Sequence, residues 1–190
     1  MARVFLSLGS NVDREHNIAF AISTLSERFG QLRLSSVYES DAVGFKGDPF
    51  YNVVVELSSS LSPAELVKVF REIEGEGKRG RYGPRFGPRT LDLDLSLYDD
   101  LVLQQEDLTL PRREVMECAF VLCPLAEIAG ELRHPVNGKT YAALWAEFDA
   151  PSQQIRRAPL SVDELIERVK RGPARPGRVA GSSARSCTDV

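Results

Sequence analysis

Two periods of hydrophobic and polar residues alternate along the chain, and together they predict the order of its elements. Strand-like segments occur at VFLSLGSN, RLSSVYES, FYNVVVELSSS and LDLDLSLY. Apolar residues recur at helical spacing over about residues 14–29 and 63–74. The order β-α-β-β-α-β predicts an α+β fold of the ferredoxin-like βαββαβ type, with an antiparallel sheet, added helices and three α/β/α layers.

Residues typical of element ends support this order. Asn11 or Asp13 can cap the first helix, and Gly30 ends it. Ser62 and Glu65 form a capping-box pattern at the second helix, which we expect to end near Glu74 and Gly75. After these elements we expect a short strand at LVLQ, helices near 113–118 and 120–129, and a last one at TYAALWAEF.

The last forty residues differ from the rest of the chain. Residues 151–158 are typical of a linker, and the capping box SVDE then opens one short helix. The remainder has too few apolar side chains to offset the entropy of ordering it, which predicts disorder. Residues 1–150 are therefore predicted to form the domain, and residues 151–190 a tail.

Charge separates the same two parts. The whole chain has a net charge of −3, but residues 151–190 carry +4, which leaves −7 for residues 1–150. An acidic body with a basic tail is unlike a nucleic-acid-binding domain, so no nucleic-acid partner is expected. An RNA-binding ferredoxin-like module is also disfavoured because the strands lack its aromatic motif.

Composition narrows the class of protein further. The chain has 190 residues, of which 43% are hydrophobic, as in a globular protein. It shows neither a signal-peptide core nor a run long enough to span a membrane, so we expect a cytoplasmic protein, as a monomer. The three cysteines lack zinc-site spacing and are predicted to be reduced thiols, with Cys118 and Cys123 packed in the domain.

The strand LDLDLSLY carries the first candidate chemistry. Strand alternation predicts that Leu91, Leu93, Leu95 and Leu97 share one face and that Asp92 and Asp94 lie on the other. Two carboxylates about 6.6 Å apart repel each other, so a positive group is expected between them. A pair of Mg²⁺ ions shared with phosphate oxygens would satisfy both aspartates. The alternative is a solvated strand face with Arg89 as the counter-charge.

A basic, glycine-rich segment precedes that strand. GKRGRYGPRFGPR holds five cations and four glycines in an otherwise acidic body. Such a loop can close over a polyphosphate through arginine hydrogen bonds, although it is not a P-loop. A solvated, flexible loop is the alternative.

The run RFGPRTLDLDL resembles the signature of the 6-hydroxymethyl-7,8-dihydropterin pyrophosphokinase family. The resemblance extends from SLGSN through YNVVVEL to AFVLCPLAEIA, over about residues 2–149. It implies transfer of diphosphate from ATP to 6-hydroxymethyl-7,8-dihydropterin, with release of AMP, in folate biosynthesis. ATP and the pterin are the implied partners.

The resemblance also implies roles for individual residues. Asp92 and Asp94 correspond to the pair that binds two Mg²⁺ ions, and Arg79 and Arg81 to catalytic arginines of a mobile loop. The residues implied at ATP are Glu74, Arg89, Arg112 and Arg113. Those implied at the pterin are Ser40, Val43, Phe50, Asn52 and Phe120.

Several positions depart from the family pattern. Arg112 and Arg113 stand where the family usually has His and Tyr, and two further arginine positions are Asp107 and Cys118. These departures leave a second hypothesis open, a pterin-binding paralogue with an altered nucleotide site that acts on another substrate or on none.

Overall fold

Antiparallel strands form the centre of the structure, a computed structural model that describes residues 1–41, 48–79, 91–149, 151 and 153–171. The strands are β1 (Ala2–Ser10), β2 (Arg33–Leu34), β3 (Tyr38–Ser40), β4 (Phe50–Ser59), β5 (Asp92–Tyr98), β6 (Leu103–Gln104), β7 (Thr109–Leu110) and β8 (Ile155–Arg157). The helices are α1 (Arg14–Phe29), α2 (Pro63–Arg79), α3 (Glu114–Glu117), α4 (Ala119–Ala129), α5 (Tyr141–Ala146) and α6 (Val162–Arg171).

The main sheet has the strand order β5-β1-β4-β3-β8, with β2 also paired to β4. The pairings among these strands are antiparallel. The elements from β1 to β5 follow the order expected for a ferredoxin-like core, with β2 and β3 together in place of its second strand. The predicted α+β fold is thereby confirmed. The segment RLSSVYES forms two short strands rather than one, because Ser35 between them bonds Val54 through both its backbone and its hydroxyl.

Side chains alternate between two hydrophobic clusters, one on each face of the sheet. On β1, Val4, Leu6 and Leu8 belong to the larger cluster, which also contains residues of α1 and α2. Phe5 points to the other face and packs with residues of α4 and α5. Helices therefore cover both faces of the sheet. Within the part of the chain that the structure describes, no helix is long and apolar enough to cross a membrane.

A bulge in β5 corrects one prediction. Leu95 pairs with Leu6 and Leu97 with the adjacent Phe5, so Ser96 is an extra residue in the strand. Leu91, Leu93 and Leu95 lie in the larger cluster as expected, but Leu97 lies in the cluster of the opposite face. The extra residue reverses the alternation, which a sequence pattern of period two does not reveal.

The first helix has the predicted bounds, and the Gly30 N–H donates to the Ser26 carbonyl at 2.9 Å. Asp13 occupies the N-cap position, but its side chain makes no capping hydrogen bond there. The capping box of α2 is confirmed, with the Ser62 N–H donating to Glu65 at 2.8 Å.

The predicted end of α2 is wrong, because the helix continues to Arg79 and includes the start of the basic segment. Gly77 lies in this added turn, and a β-carbon there would stand 3.4 Å from Leu91 and from Phe20. This glycine therefore lies inside the helix, next to Leu91 and to Phe20 of α1, and does not end it.

The predicted linker is also wrong, because β8 pairs with β3 in the main sheet. The short helix that follows is confirmed as α6, with its capping box formed by Ser161 and Glu164. Leu160, Val162 and Leu165 are buried in the larger cluster. The predicted disorder beyond residue 171 lies outside the described residues.

Candidate active site

A pocket with a volume of about 350 Å³ opens on the face of the sheet that carries α3 and α4. Its walls come from β1, β3, β4, β5, the start of α3 with the residues before it, and the start of α4. The lining residues are Ser7, Leu8, Gly9, Ser40, Asp41, Phe50, Asn52, Asp92, Asp94, Arg112, Glu114 and Phe120.

The acidic end of the pocket is built by β5. Asp92 and Asp94 pair with Gly9 and Ser7 of β1, so both aspartates lie on the pocket face of the sheet. Glu74 of α2 accepts a hydrogen bond from the Leu93 N–H at 2.8 Å, which anchors the strand between the two aspartates. The Asp94 side chain is 40% exposed, so it is accessible to a ligand.

Arg112 supplies a positive charge at this end. Its guanidinium Nη1 lies 3.0 Å from Asp94 Oδ1, and its Nε lies 3.2 Å from Glu114 Oε2. The Arg112 N–H donates to the carbonyl of the bulged Ser96 at 3.0 Å, so the bulge holds this arginine next to Asp94. Arg89, the counter-charge considered from the sequence, lies outside the described residues.

The other end of the pocket combines a buried amide with aromatic rings. Asn52 donates from Nδ2 to Ser40 Oγ at 2.9 Å, and both residues are buried. Gly9 faces Asn52 across the β1–β4 pair, where a β-carbon would stand 3.8 Å from Asn52 Oδ1. Phe50 and Phe120 are half-buried and line the same cavity. A flat, polar heterocycle is the kind of ligand that such a surface can accommodate.

A family model matches residues 5–130, and its description is 7,8-dihydro-6-hydroxymethylpterin-pyrophosphokinase (HPPK). The 2-amino-4-hydroxy-6-hydroxymethyldihydropteridine pyrophosphokinase of Bacillus subtilis is 34% identical over 166 residues. That match covers 85% of this chain and 95% of the Bacillus subtilis protein. The protein of that name from Haemophilus influenzae is 39% identical over 164 residues, and the match covers 84% of this chain and 100% of the Haemophilus influenzae protein. This chain belongs to the HPPK family.

Solved structures agree with this fold. A crystal structure of Plasmodium falciparum HPPK-DHPS matches with a TM-score of 0.63 at 15% identity. The match covers 77% of this chain and 41% of that chain, so this chain spans less than half of that protein.

The structure gathers seven of the residues implied by the HPPK resemblance around one pocket. They are Ser40, Phe50, Asn52, Asp92, Asp94, Arg112 and Phe120. Glu74 stands behind β5, and the Arg113 side chain is 78% exposed and pairs with Glu117. Val43, Arg81 and Arg89 lie outside the described residues, as does the side chain of Arg79.

Four polar or small lining residues were not predicted as site residues: Ser7, Gly9, Asp41 and Glu114. Ser7 and Gly9 belong to the segment SLGSN, which was recognised only as part of the resemblance. Their position opposite Asp94 and Asp92 depends on strand register, which the sequence does not show.

The two described cysteines behave as packed thiols. Burial raises the pKa of the Cys118 thiol, and Glu114 and Glu117 raise it further. Burial likewise raises the pKa of the Cys123 thiol. A raised pKa keeps both groups protonated and poorly nucleophilic, which agrees with the structural role expected for them.

Proposed function

We propose that this pocket is where the chain carries out the reaction of the HPPK family, the transfer of diphosphate from ATP to 6-hydroxymethyl-7,8-dihydropterin. One observation carries the proposal. The same cavity has two aspartates at one end and, at the other, a buried amide beside two aromatic side chains. A phosphate acceptor that is also a flat heterocycle would contact both ends at once.

Asp92 and Asp94 would hold Mg²⁺, and two ions are proposed. The aspartates lie on one face of β5 and offer only oxygen ligands, which Mg²⁺ prefers. No group of three or more His, Cys, Asp or Glu side chains suited to a metal occurs among the described residues, so phosphate and water oxygens would complete the coordination. The bound ions would neutralise charge on the phosphates.

The pterin would bind at the end formed by Ser40, Phe50, Asn52 and Phe120. The ring faces of Phe50 and Phe120 offer stacking surfaces, and the Asn52 amide is fixed by its bond to Ser40. Val43 is retained as a proposed contact from the resemblance. A buried, preoriented amide favours a ligand whose edge carries matching donors and acceptors.

Arg112, together with Glu74, Arg89 and Arg113, is proposed at the nucleotide side. Arg112 is supported by its place beside Asp94, where a phosphate could accept from the guanidinium. Glu74 would act through the backbone of β5, since it binds the Leu93 N–H. Arg79 and Arg81 are proposed catalytic residues on the grounds of the resemblance.

The reaction is an in-line displacement at the β-phosphorus. The pterin hydroxymethyl oxygen forms the new bond and releases its proton to solvent, the bond to the α-phosphate oxygen breaks, and AMP leaves with that oxygen. The residues of the pocket contribute mainly by aligning the two substrates and by offsetting phosphate charge.

We further propose that the chain acts as a cytoplasmic monomer. The net charge of −7 on residues 1–150 disfavours a nucleic-acid partner.

The test is an AMP-release assay with ATP, Mg²⁺ and the dihydropterin. Wild type should form AMP and the pterin diphosphate. Asp92→Asn and Asp94→Asn should each lose at least about 100-fold in turnover, because a neutral amide replaces one of the carboxylates that bind Mg²⁺. Pterin affinity, measured by fluorescence, should change much less. Asp100→Asn, the same change at an exposed residue in the turn after β5, is the matched control.

Three outcomes would count against the proposal or part of it. Folded wild type that forms neither product would exclude this activity, and pterin binding without AMP release would favour the paralogue hypothesis. Full turnover in both aspartate variants would exclude their role at the metal.

A further inference from the structure

The segment 153–157 contacts both walls of the proposed pterin end of the pocket. It lies beyond residues 5–130, which the family model matches. One wall is β3, which carries Ser40, and the other is the start of α4, which carries Phe120. This segment is therefore placed to set the distance between the two walls.

Gln153 binds the wall formed by α4. Its side-chain oxygen accepts from the Ala119 N–H at 2.8 Å, and its Nε2 donates to the Glu117 carbonyl at 2.9 Å. Cys118 at the N-cap of α4 makes no side-chain capping bond. Gln153 thus satisfies a backbone donor at the helix start, directly before Phe120.

Strand β8 binds the opposite wall. Ile155 pairs with Ser40 and Arg156 with Glu39 in the antiparallel register. The Arg156 side chain donates from Nε to Glu39 at 2.9 Å and lies 3.7 Å from Asp41. Charged contacts therefore hold the residues on both sides of Ser40, and Asp41 itself lines the pocket.

A second arginine fixes the same end of β3. Arg14 lies 2.8 Å from Glu39 and donates to the Pro49 carbonyl at 2.7 Å, directly before Phe50. Its guanidinium also lies over the Tyr51 ring, 3.8 Å from the centroid. Glu39 is thus shared between an arginine of α1 and an arginine of β8.

We propose that Gln153 and Arg156 are positioning residues for the pterin, holding Ser40 and Phe120 at the separation that the ring requires. This inference rests on the proposed function of the pocket. Neither side chain lines the cavity, so both act through the residues they hold. A binding group that is not held in place must be ordered when the ligand binds, so a loosened wall should weaken binding measurably.

The test compares pterin affinity with stability in the full chain. Gln153→Ala removes both bonds to the α3–α4 junction, and its Kd for 6-hydroxymethyl-7,8-dihydropterin, measured by fluorescence without ATP, should rise about tenfold. Arg156→Ala should raise the Kd by about threefold, since its ion pairs are exposed, and Arg156→Lys should recover part of that loss. The KM for ATP and kcat at saturating pterin should stay within about twofold of wild type.

Arg168→Ala is the matched control. Arg168 belongs to the same C-terminal part of the chain and pairs with Glu15 of α1 at 2.8 Å, away from the pocket. Its thermal midpoint should fall by as much as that of Arg156→Ala, while its pterin Kd stays within twofold. A purely structural role would instead lower the midpoint in all variants and leave every Kd unchanged.

The outcomes separate the two proposals. Pterin binding and turnover by wild type, with an unchanged Kd in Gln153→Ala, would overturn the positioning role and leave the proposed function standing. No pterin binding by folded wild type would overturn both. If Gln153→Ala does not fold, the Kd of Arg156→Ala decides, and a value equal to that of Arg168→Ala overturns the inference.

Discussion

Asp94 shares its carboxylate with Arg112, and this contact gives the aspartate a counter-charge before any ligand binds. Arg112 also lies beside Glu114, so one guanidinium serves two carboxylates at the pocket. A cation entering at Asp94 would compete with that guanidinium. The exchange would release Arg112 toward a phosphate, which accepts arginine hydrogen bonds well.

Removing this arginine should therefore strengthen metal binding. Arg112→Gln keeps a polar side chain but loses the charge, and a half-exposed ion pair of this kind is worth only about 0.2–1 kcal/mol. We expect its affinity for Mn²⁺, measured without nucleotide by electron paramagnetic resonance, to rise by roughly twofold to fivefold. Arg113→Gln removes an exposed charge that pairs with Glu117 and should change this affinity less than twofold. Weaker Mn²⁺ binding in Arg112→Gln would contradict the competition.

Among the elements, the turn between α4 and α5 depends on a neutral histidine. His134 is 7% exposed, and its Nδ1 accepts from the Val136 and Asn137 N–H groups at 3.3 and 3.4 Å. Burial lowers the pKa of His134 below its usual 6.5. Protonation would place a charge in a buried position and would remove the acceptor from both N–H groups.

This lowered pKa predicts a pH dependence of stability. The unfolded chain binds the proton more readily than the folded one, so the free energy of unfolding should fall as pH drops from about 6.5 towards 5. His134→Asn keeps an acceptor for the turn but does not titrate, so its free energy of unfolding should stay flatter over that range. Urea unfolding of both proteins at pH 8, 6.5 and 5.5 measures the difference. Parallel curves would show that His134 does not contribute.

At the scale of the whole molecule, α6 and the segment before it belong to the same hydrophobic core as β1 and α1. Leu160, Val162 and Leu165 are buried in that core, and β8 covers an edge of β3 that would otherwise be unpaired. The segment also meets α4 through Gln153. These contacts join the C-terminal residues to three parts of the fold.

Truncation after residue 150 should therefore be severely destabilising. Burial of the three apolar side chains contributes on the order of 5 kcal/mol, a large part of the stability of a typical domain. We expect the 1–150 fragment to unfold at much lower urea concentration than the full chain, or to aggregate. A 1–171 fragment keeps every contact of β8 and α6 given above and should match the full chain. Equal midpoints for the 1–150 fragment and the full chain would disprove the prediction.

Local patterns predicted much of the fold and, within the pocket, the two aspartates of β5, whereas the other predicted pocket residues came from the family resemblance. The period of apolar residues located α1, β4 and β5, and the capping boxes located the starts of α2 and α6. The pattern failed at the end of α2, where the helix continues past Glu74 and through Gly77 to Arg79. It also failed at residues 155–157, because three residues beside a sheet edge carry no periodic signal.

The sequence by itself determined which face of β5 carries Asp92 and Asp94, because alternation along a strand is a local property. It also determined the family, through the long run RFGPRTLDLDL, which the match over residues 5–130 confirms. Only the tertiary structure decided that Leu97 turns to the opposite face, that Arg112 lies beside Asp94, and that β8 extends the sheet. These three features depend on strand register or on contacts between residues far apart in the chain. Local spacing in the sequence encodes neither the register nor such contacts.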